Sequence, residues 1–227
     1  MAVKEKLISK SKIMVLRSKV HKFIWYIVPK VASSTIRWTV HPFVCPHMKC
    51  SRPLTKTNWN NQYSHITNAN LNSHFSFAFV RNPWDRIVSV YAAQIAPRSS
   101  RGPQRFESWN LYNRFMGQKI FYCDMDFAEF VRELVKIPQK YANRHFRSQA
   151  ALLTFNKKLR PNFIGKLENF QEDWQVIRDN IPGMPNLVED NINKTNHAPF
   201  ESFYTPELRD LVGEKYKMDI KLFGYKK

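Results

Sequence analysis

Lys30 and the three consecutive hydroxyls Ser33-Ser34-Thr35, spaced by Val31 and Ala32, form the first group of side chains suited to chemistry. An ammonium beside hydroxyls and small residues can hold the oxygens of a phosphate or sulfate ester. Two flanking elements must position them. Phe23 to Val28 is an unbroken apolar run, rich in β-branched and aromatic residues and stopped by Pro29. Such a run suits a strand buried on both faces better than a short helix. Ser33 or Ser34 can cap a helix continuing through Ile36-Arg37-Trp38-Thr39-Val40, with unpaired N–H groups and the positive dipole end at the loop. The order strand, small-residue turn, helix start therefore predicts an anion site. It differs from the Walker A loop, which is glycine-rich and carries its lysine at the end. Here the lysine comes first and the loop has no glycine. Taken alone, the segment fits an ordinary strand-to-helix turn equally well.

A second group lies in His74-Phe-Ser-Phe-Ala-Phe-Val-Arg-Asn-Pro-Trp-Asp-Arg-Ile-Val-Ser-Val-Tyr91. Phe75 to Val80 again reads as an interior strand. Asn82 is a good helix N-cap, Pro83 suits the first helical position and Asp85 favours the first turn. Arg81 thus stands at the carboxyl end of a strand, the edge where open parallel sheets bind ligands. Asn82, Arg86 and Ser89 share one helix face, leaving Ile87, Val88 and Tyr91 to pack inward. Arg81 and Ser89 can both reach one phosphate. Either alone reads as well as a structural residue; beside Lys30 at another strand end, they point to an anionic cofactor.

The rest of the chain has the size and composition to support such a site. Its 227 residues, 43% hydrophobic, fit one α/β domain with a core. No apolar run is long enough for a membrane span. Lysine and arginine total 36 against 18 acidic residues, a net charge of +18, which favours polyanionic partners: nucleic acid, an anionic polysaccharide or a phosphorylated cofactor. Residues 1–21 read as a basic, partly helical arm and 22–227 as the folded domain. Cys45, Cys50 and Cys123 give no disulfide framework. Cys45-Pro-His-Met-Lys-Cys50 resembles half of a zinc site, but no second ligand pair follows at the usual distance, so no metal is expected.

Further along, residues 51–61 and 96–118 read as exposed loops. Asp126 to Lys136 carries an amphipathic helical stripe of Phe127, Phe130, Val131 and Leu134. Phe163-Ile-Gly-Lys-Leu167 reads as a short strand before a helix to about Asn180. Thr205-Pro-Glu caps a helix to about Tyr216, and Met218 to Tyr225 forms a packing terminus.

Together these motifs resemble the carbohydrate sulfotransferases that use 3′-phosphoadenosine 5′-phosphosulfate (PAPS), in the Golgi-type group acting on glycosaminoglycans and related glycans. Pro29-Lys-Val-Ala-Ser-Ser-Thr35 is similar to the family's 5′-phosphosulfate loop. Phe79-Val-Arg-Asn-Pro-Trp-Asp-Arg-Ile-Val-Ser-Val-Tyr91 is similar to its 3′-phosphate motif. His145-Phe-Arg-Ser-Gln149 resembles its His-Trp-x-Pro-Gln segment, with Phe146 and Ser148 as departures. Phe163 to Asn169 and Leu222-Phe-Gly-Tyr225 match in order.

The resemblance implies a P-loop-like α/β fold of the sulfotransferase and nucleotide-kinase kind, with a mainly parallel sheet flanked by helices. It implies that Lys30, Val31, Ala32, Ser33, Ser34 and Thr35 bind the 5′-phosphosulfate, with Lys30 neutralising the leaving phosphate. Arg81 and Ser89 would bind the 3′-phosphate. His65 matches the histidine that acts as base in some uronyl sulfotransferases, with His145 and Glu168 as rivals. The implied partner is a glycan, acidic by charge complementarity, with no nucleic acid and no membrane span. A full-length chain of this kind would be cytoplasmic, and a trimmed catalytic domain would belong to the Golgi lumen. Two other readings stand beside this one: a nucleotide kinase or other nucleoside-triphosphate enzyme, and a basic nucleic-acid-binding protein without activity.

Overall fold

The two apolar runs that precede the candidate anion residues lie side by side in one sheet. The computed structural model describes residues 14–45, 73–96, 114–115, 118–122, 125–188 and 198–226. In chain order its main elements are β1 (Met14–Ser18), β2 (Phe23–Ile27), α1 (Ser33–Val44), β3 (Phe75–Val80), α2 (Pro83–Gln94), α3 (Phe127–Lys136), α4 (Gln149–Leu153), β4 (Phe163–Lys166), α5 (Phe170–Asn180), α6 (Pro206–Lys215) and α7 (Lys217–Phe223). Short two-residue ladders join Arg114–Phe115 to Gln118–Lys119 and Thr154–Phe155 to Lys158–Leu159. By its internal contacts the chain divides into two compact units. One comprises Ile13–Arg81 and Leu153–Lys194; the other comprises Asn82–Leu152 and Thr195–Lys227 with the first twelve residues. The fold is α/β, with a mainly parallel sheet and flanking helices.

The first unit holds the sheet, in the order β1-β2-β3-β4. β2 pairs parallel with β3, and β3 parallel with β4. β1 is antiparallel to β2, with Met14 opposite Ile27 and Ser18 opposite Phe23. From Met14 onward, then, the chain belongs to the sheet, and the basic arm expected over 1–21 is shorter than its charge implies. A five-residue strand interrupted by Arg17 carries too little apolar signal to stand out from the surrounding lysines.

Every residue of β2 is buried, as an interior strand requires. Phe23, Trp25 and Phe77 share one face of the sheet, and Trp25 stacks on Phe77 with ring centroids 6.4 Å apart. α5 covers this face. Trp174 meets Phe77 edge-on at 6.2 Å, and Phe170 meets Phe79 edge-on at 5.0 Å. Gly165 of β4 pairs with Phe79, whose ring lies across it; a Cβ there would stand 2.5 Å from the ring. Glycine is the residue that lets ring and backbone approach so closely. Ser76 and Asn162 fix where β4 joins: Ser76 N and Oγ donate to Asn162 Oδ1 at 3.0 and 2.7 Å.

The second unit is helical. α2, α3 and α6 enclose an aromatic core in which Tyr91 lies 5.2 Å from Phe127 and 5.6 Å from Phe130. The expected stripe of α3 is the buried one, and Asp126 Oδ1 caps it by accepting from Glu129 N at 2.7 Å. Thr205 caps α6, accepting from Leu208 N at 3.3 Å.

Two buried charges hold the segment between α3 and α4. Arg86, 1% exposed, donates to Arg147 O at 2.9 Å and Arg144 O at 3.1 Å. Asp219, fully buried, accepts from Ser148 Oγ at 2.5 Å, Gln149 N at 2.9 Å and Ala150 N at 2.8 Å. Burial pushes the Asp219 carboxyl up from its ordinary value, while the Ser148 hydroxyl, the Ala150 and Gln149 amides and the charge of Arg86 pull it back down. Arg86 therefore does not present a ligand face on α2, as its spacing from Asn82 and Ser89 implies; its guanidinium is consumed by backbone carbonyls.

Two stability predictions follow from this packing. Gly165→Ala should lower stability by about 1–3 kcal/mol, because the ring it meets is wedged between α5 aromatics. Urea unfolding should show a lower midpoint at unchanged slope, and an unaltered midpoint would mean the ring yields freely. Asp219→Ala should cost about 1–3 kcal/mol, since it strands three buried donors. Asp219→Asn, which keeps an acceptor oxygen, should cost less. A loss below about 1 kcal/mol in the alanine variant would show that the donors find other partners.

Candidate active site

The chain leaves β2 through Val28 and Pro29, both buried, and turns at Lys30 into α1. Lys30 has φ 69° and Ala32 φ 53°, so two non-glycine residues in the loop hold left-handed backbone. Each such residue costs on the order of 1–2 kcal/mol. Strain of this kind persists only where the surroundings enforce it, and it clusters at binding loops. Here Val31, 1% exposed, is anchored in the core between the two. Alternation around left-handed positions turns successive N–H groups toward a common centre, a geometry that receives anions.

The helix cap differs from expectation. Ala32, not Ser33 or Ser34, is the N-cap of α1; it offers no side-chain acceptor, and both serines lie within the first helical turn. The first helical bond runs from Ile36 N to Ala32 O at 3.1 Å. The first turn contains no carboxylate, so the positive end of the helix dipole is left for an external anion. Arg37, one turn along and on the side of Ser33 and Ser34, adds a second half-buried cation. Its Nε is buried and has no hydrogen-bond partner among the described residues. The sequence shows Arg37 at helical spacing from the serines, a signal that the motif-centred reading passes over.

Arg81 emerges from the end of β3 and reaches this loop: its Nη1 donates to Lys30 O at 3.4 Å. Residues far apart in the sequence thus meet because their strands are neighbours and run the same way. Lys30 and Arg81 are both half-buried, exposed enough to meet a ligand and confined enough to hold it. Three cations, Lys30, Arg37 and Arg81, with the Ser33-Ser34-Thr35 hydroxyls and the free amides of the helix start, make this a candidate cradle of a composition suited to phosphate or sulfate groups.

The remaining expected residues fall elsewhere. Asn82 caps α2 as expected, accepting from Trp84 N at 3.0 Å, with Pro83 at the first position. Ser89 is buried on α2, in the helical unit. His145, in the same unit, is half-buried; both its backbone N and its Nδ1 lie 2.8 Å from Asn143 Oδ1. Glu168 is exposed in the short turn between β4 and α5. His65 lies outside the described residues, as do Cys50 and Cys123. Among the described residues no cluster of histidine, cysteine or carboxylate side chains has the makings of a metal site, and no helix is long and apolar enough to cross a membrane.

No curated protein and no solved structure matches the chain significantly. The sequence profile of the sulfotransferase family, however, matches residues 14–226. The match runs from the first residue of β1 to the residues after α7, and so takes in the loop from Pro29 to Thr35, Arg81 and the segment clamped by Arg86 and Asp219. With nearly the full chain matched, this protein belongs to the sulfotransferase family.

Proposed function

We propose that the protein transfers the sulfuryl group of PAPS to a hydroxyl of a glycan acceptor. The observation that carries this reading is the cradle formed by Lys30, the strained loop and the uncapped start of α1, with Arg81 meeting it from the neighbouring strand. PAPS supplies an activated sulfuryl group and carries anionic groups at its 5′ and 3′ positions. We assign one cation of the cradle to each. Lys30 and the amides and hydroxyls of Val31, Ala32, Ser33, Ser34 and Thr35 would hold the 5′ end. There the lysine ammonium and the helix dipole stabilise the negative charge that grows on the leaving phosphate. Arg81 would bind the 3′-phosphate, and the family resemblance assigns Ser89 to the same group.

Positioning and electrostatics carry most of the catalysis in transfers of this type, as in phosphoryl transfer. What remains is to take the proton from the acceptor hydroxyl. His65 is the proposed base by its resemblance to the uronyl sulfotransferases, with His145 and Glu168 as the alternatives. The charge of +18 supports an acidic acceptor, since it greatly exceeds what one nucleotide can neutralise.

Thermal shift with the product nucleotide, 3′-phosphoadenosine 5′-phosphate, tests the cofactor half. At a hundredfold excess over Kd it should add about 2.7 kcal/mol, or roughly 5–10 °C in Tm for a chain of this size. AMP should give much less, and Arg81→Ala should abolish the difference. Equal shifts from both nucleotides in the parent protein would refute a 3′-phosphate site. Lys30→Ala should lower kcat about 10²–10³-fold, the usual loss on removing a charge-stabilising donor. Sulfate transfer across a panel of desulfated polysaccharides tests the acceptor half; transfer to phenols or steroids alone would sink the glycan assignment.

The base is separable from the cradle. His65→Ala should lower kcat about 10²–10⁴-fold while the product nucleotide still stabilises the protein, because proton transfer is lost and the phosphate contacts are not. If His145→Ala or Glu168→Ala shows the large loss and His65→Ala none, the base is reassigned accordingly.

A further inference from the structure

A feature of the sheet-bearing unit that the transfer site does not use is the hairpin between α4 and β4. Thr154–Phe155 pairs antiparallel with Lys158–Leu159, with Thr154 opposite Leu159 and Phe155 opposite Lys158. Asn156 and Lys157 form its turn with φ 48° and 60°. Two successive left-handed residues match the twist of the flanking strands and fix the turn. Arg160 N donates to Leu153 O at 2.9 Å, continuing the ladder past Leu159. Two residues on, Asn162 N donates to Ser76 Oγ at 3.0 Å, tying the hairpin to the sheet.

Alternation places Phe155, Lys158 and Arg160 on one face of this ladder. The Arg160 guanidinium lies over the Phe155 ring at 4.1 Å. The ring is 54% exposed, unusual for a phenylalanine in a folded chain. Lys157 and Lys158 are exposed at the tip, and neither has an ion-pair partner among the described residues. From Gln149 to Leu167 the sequence contains no acidic residue. The result is a short cationic hairpin, free of acidic side chains, whose arginine lies over an exposed aromatic ring.

We propose that this hairpin is a docking surface for an acidic polysaccharide, gripping sulfate or carboxylate groups of the chain outside the transfer site. It rests on the glycan reading above only in the choice of polyanion. Three features favour that partner. The exposed apolar residues, Phe155 and Leu159, stand on opposite faces of the ladder, so they form no continuous apolar surface of the kind that enters a lipid interface. Arg160 covers the Phe155 ring, so the ring is not an open platform for stacking bases. An ordered guanidinium flanked by two exposed ammonium groups suits a succession of sulfates or carboxylates on a flexible chain.

The test uses the full chain carrying Lys157→Glu and Lys158→Glu, without donor nucleotide, titrated with a sulfated heparin octasaccharide across a range of salt. Near physiological salt, affinity should fall about tenfold or more, and the slope of log affinity against log salt should shrink by about two. Phe155→Ala, which removes no charge, should also weaken binding severalfold by removing the ring over which Arg160 lies. The stabilisation by 3′-phosphoadenosine 5′-phosphate should be the same in parent and variants. Unchanged octasaccharide affinity in the double variant would overturn the proposal. So would a larger loss of binding to duplex DNA, or to phosphatidylserine vesicles, than to the octasaccharide. Because binding is read without transfer, failure of the sulfuryl-transfer reading would leave this result standing, and the reverse also holds.

Discussion

The parallel pairing of β2 with β3 is the constraint on which the candidate site depends. Trp25 lies opposite Phe77 and Tyr26 opposite Ala78, so the two chains leave the sheet at the same edge and within a residue or two of the same level. Lys30 and Arg81 arrive together for that reason alone. A parallel pair also requires a crossover in which the chain returns to the starting edge. α1 forms the described part of it, which is why a helix start stands beside the arginine. The aromatic face formed by Phe23, Trp25, Phe77 and Phe79 under Trp174 and Phe170 secures the pairing. Aromatic contacts of this kind contribute about 0.5–1.5 kcal/mol each beyond the area they bury.

The loop on this edge stores strain that the core underwrites. Left-handed backbone at Lys30 and Ala32 would relax if Val28, Pro29 and Val31 were not buried around it. A glycine in either place would adopt the conformation without cost but would also free the unfolded and ligand-free loop to sample many others. A side chain at both positions narrows what the free loop can sample, and groups ordered in advance lose less on binding. Helix α1 contributes in the same sense. With Ala32 at its cap and no carboxylate in its first turn, nothing local competes with an incoming anion.

The helical unit uses charge differently. Arg86 and Asp219 are removed from water and spent on backbone groups between residues 144 and 150. Burial of such groups is tolerable only when every donor and acceptor is answered. The segment they hold is also the one that resembles a family motif. Its conformation is fixed jointly by two remote helices, α2 and α7, and by local bonds such as that of His145 N to Asn143 Oδ1.

The sequence by itself determined the elements and the chemistry that are local in nature. Apolar runs marked β2 and β3, Asn82-Pro83 marked the start of α2, the stripe of Phe127, Phe130, Val131 and Leu134 marked α3 and Thr205 marked α6, because a cap, a stripe or a buried strand is recognisable within a few residues. The pairing of Lys30 with a hydroxyl run suggested an oxyanion site for the same reason. What the sequence could not carry was any relation between distant residues. β1 and the 154–160 hairpin are too short to be distinguished from basic loop, and they exist because a neighbouring strand completes their hydrogen bonds. Gly165 is a glycine because Phe79 lies over it, and Arg86 is structural because two carbonyls some sixty residues away reach it. The cap of α1 falls on Ala32 rather than a serine because the loop is bent left-handed by what surrounds it. Local sequence chooses among a residue's own conformations, whereas burial and pairing energies belong to pairs, and only the tertiary fold decides which pairs form.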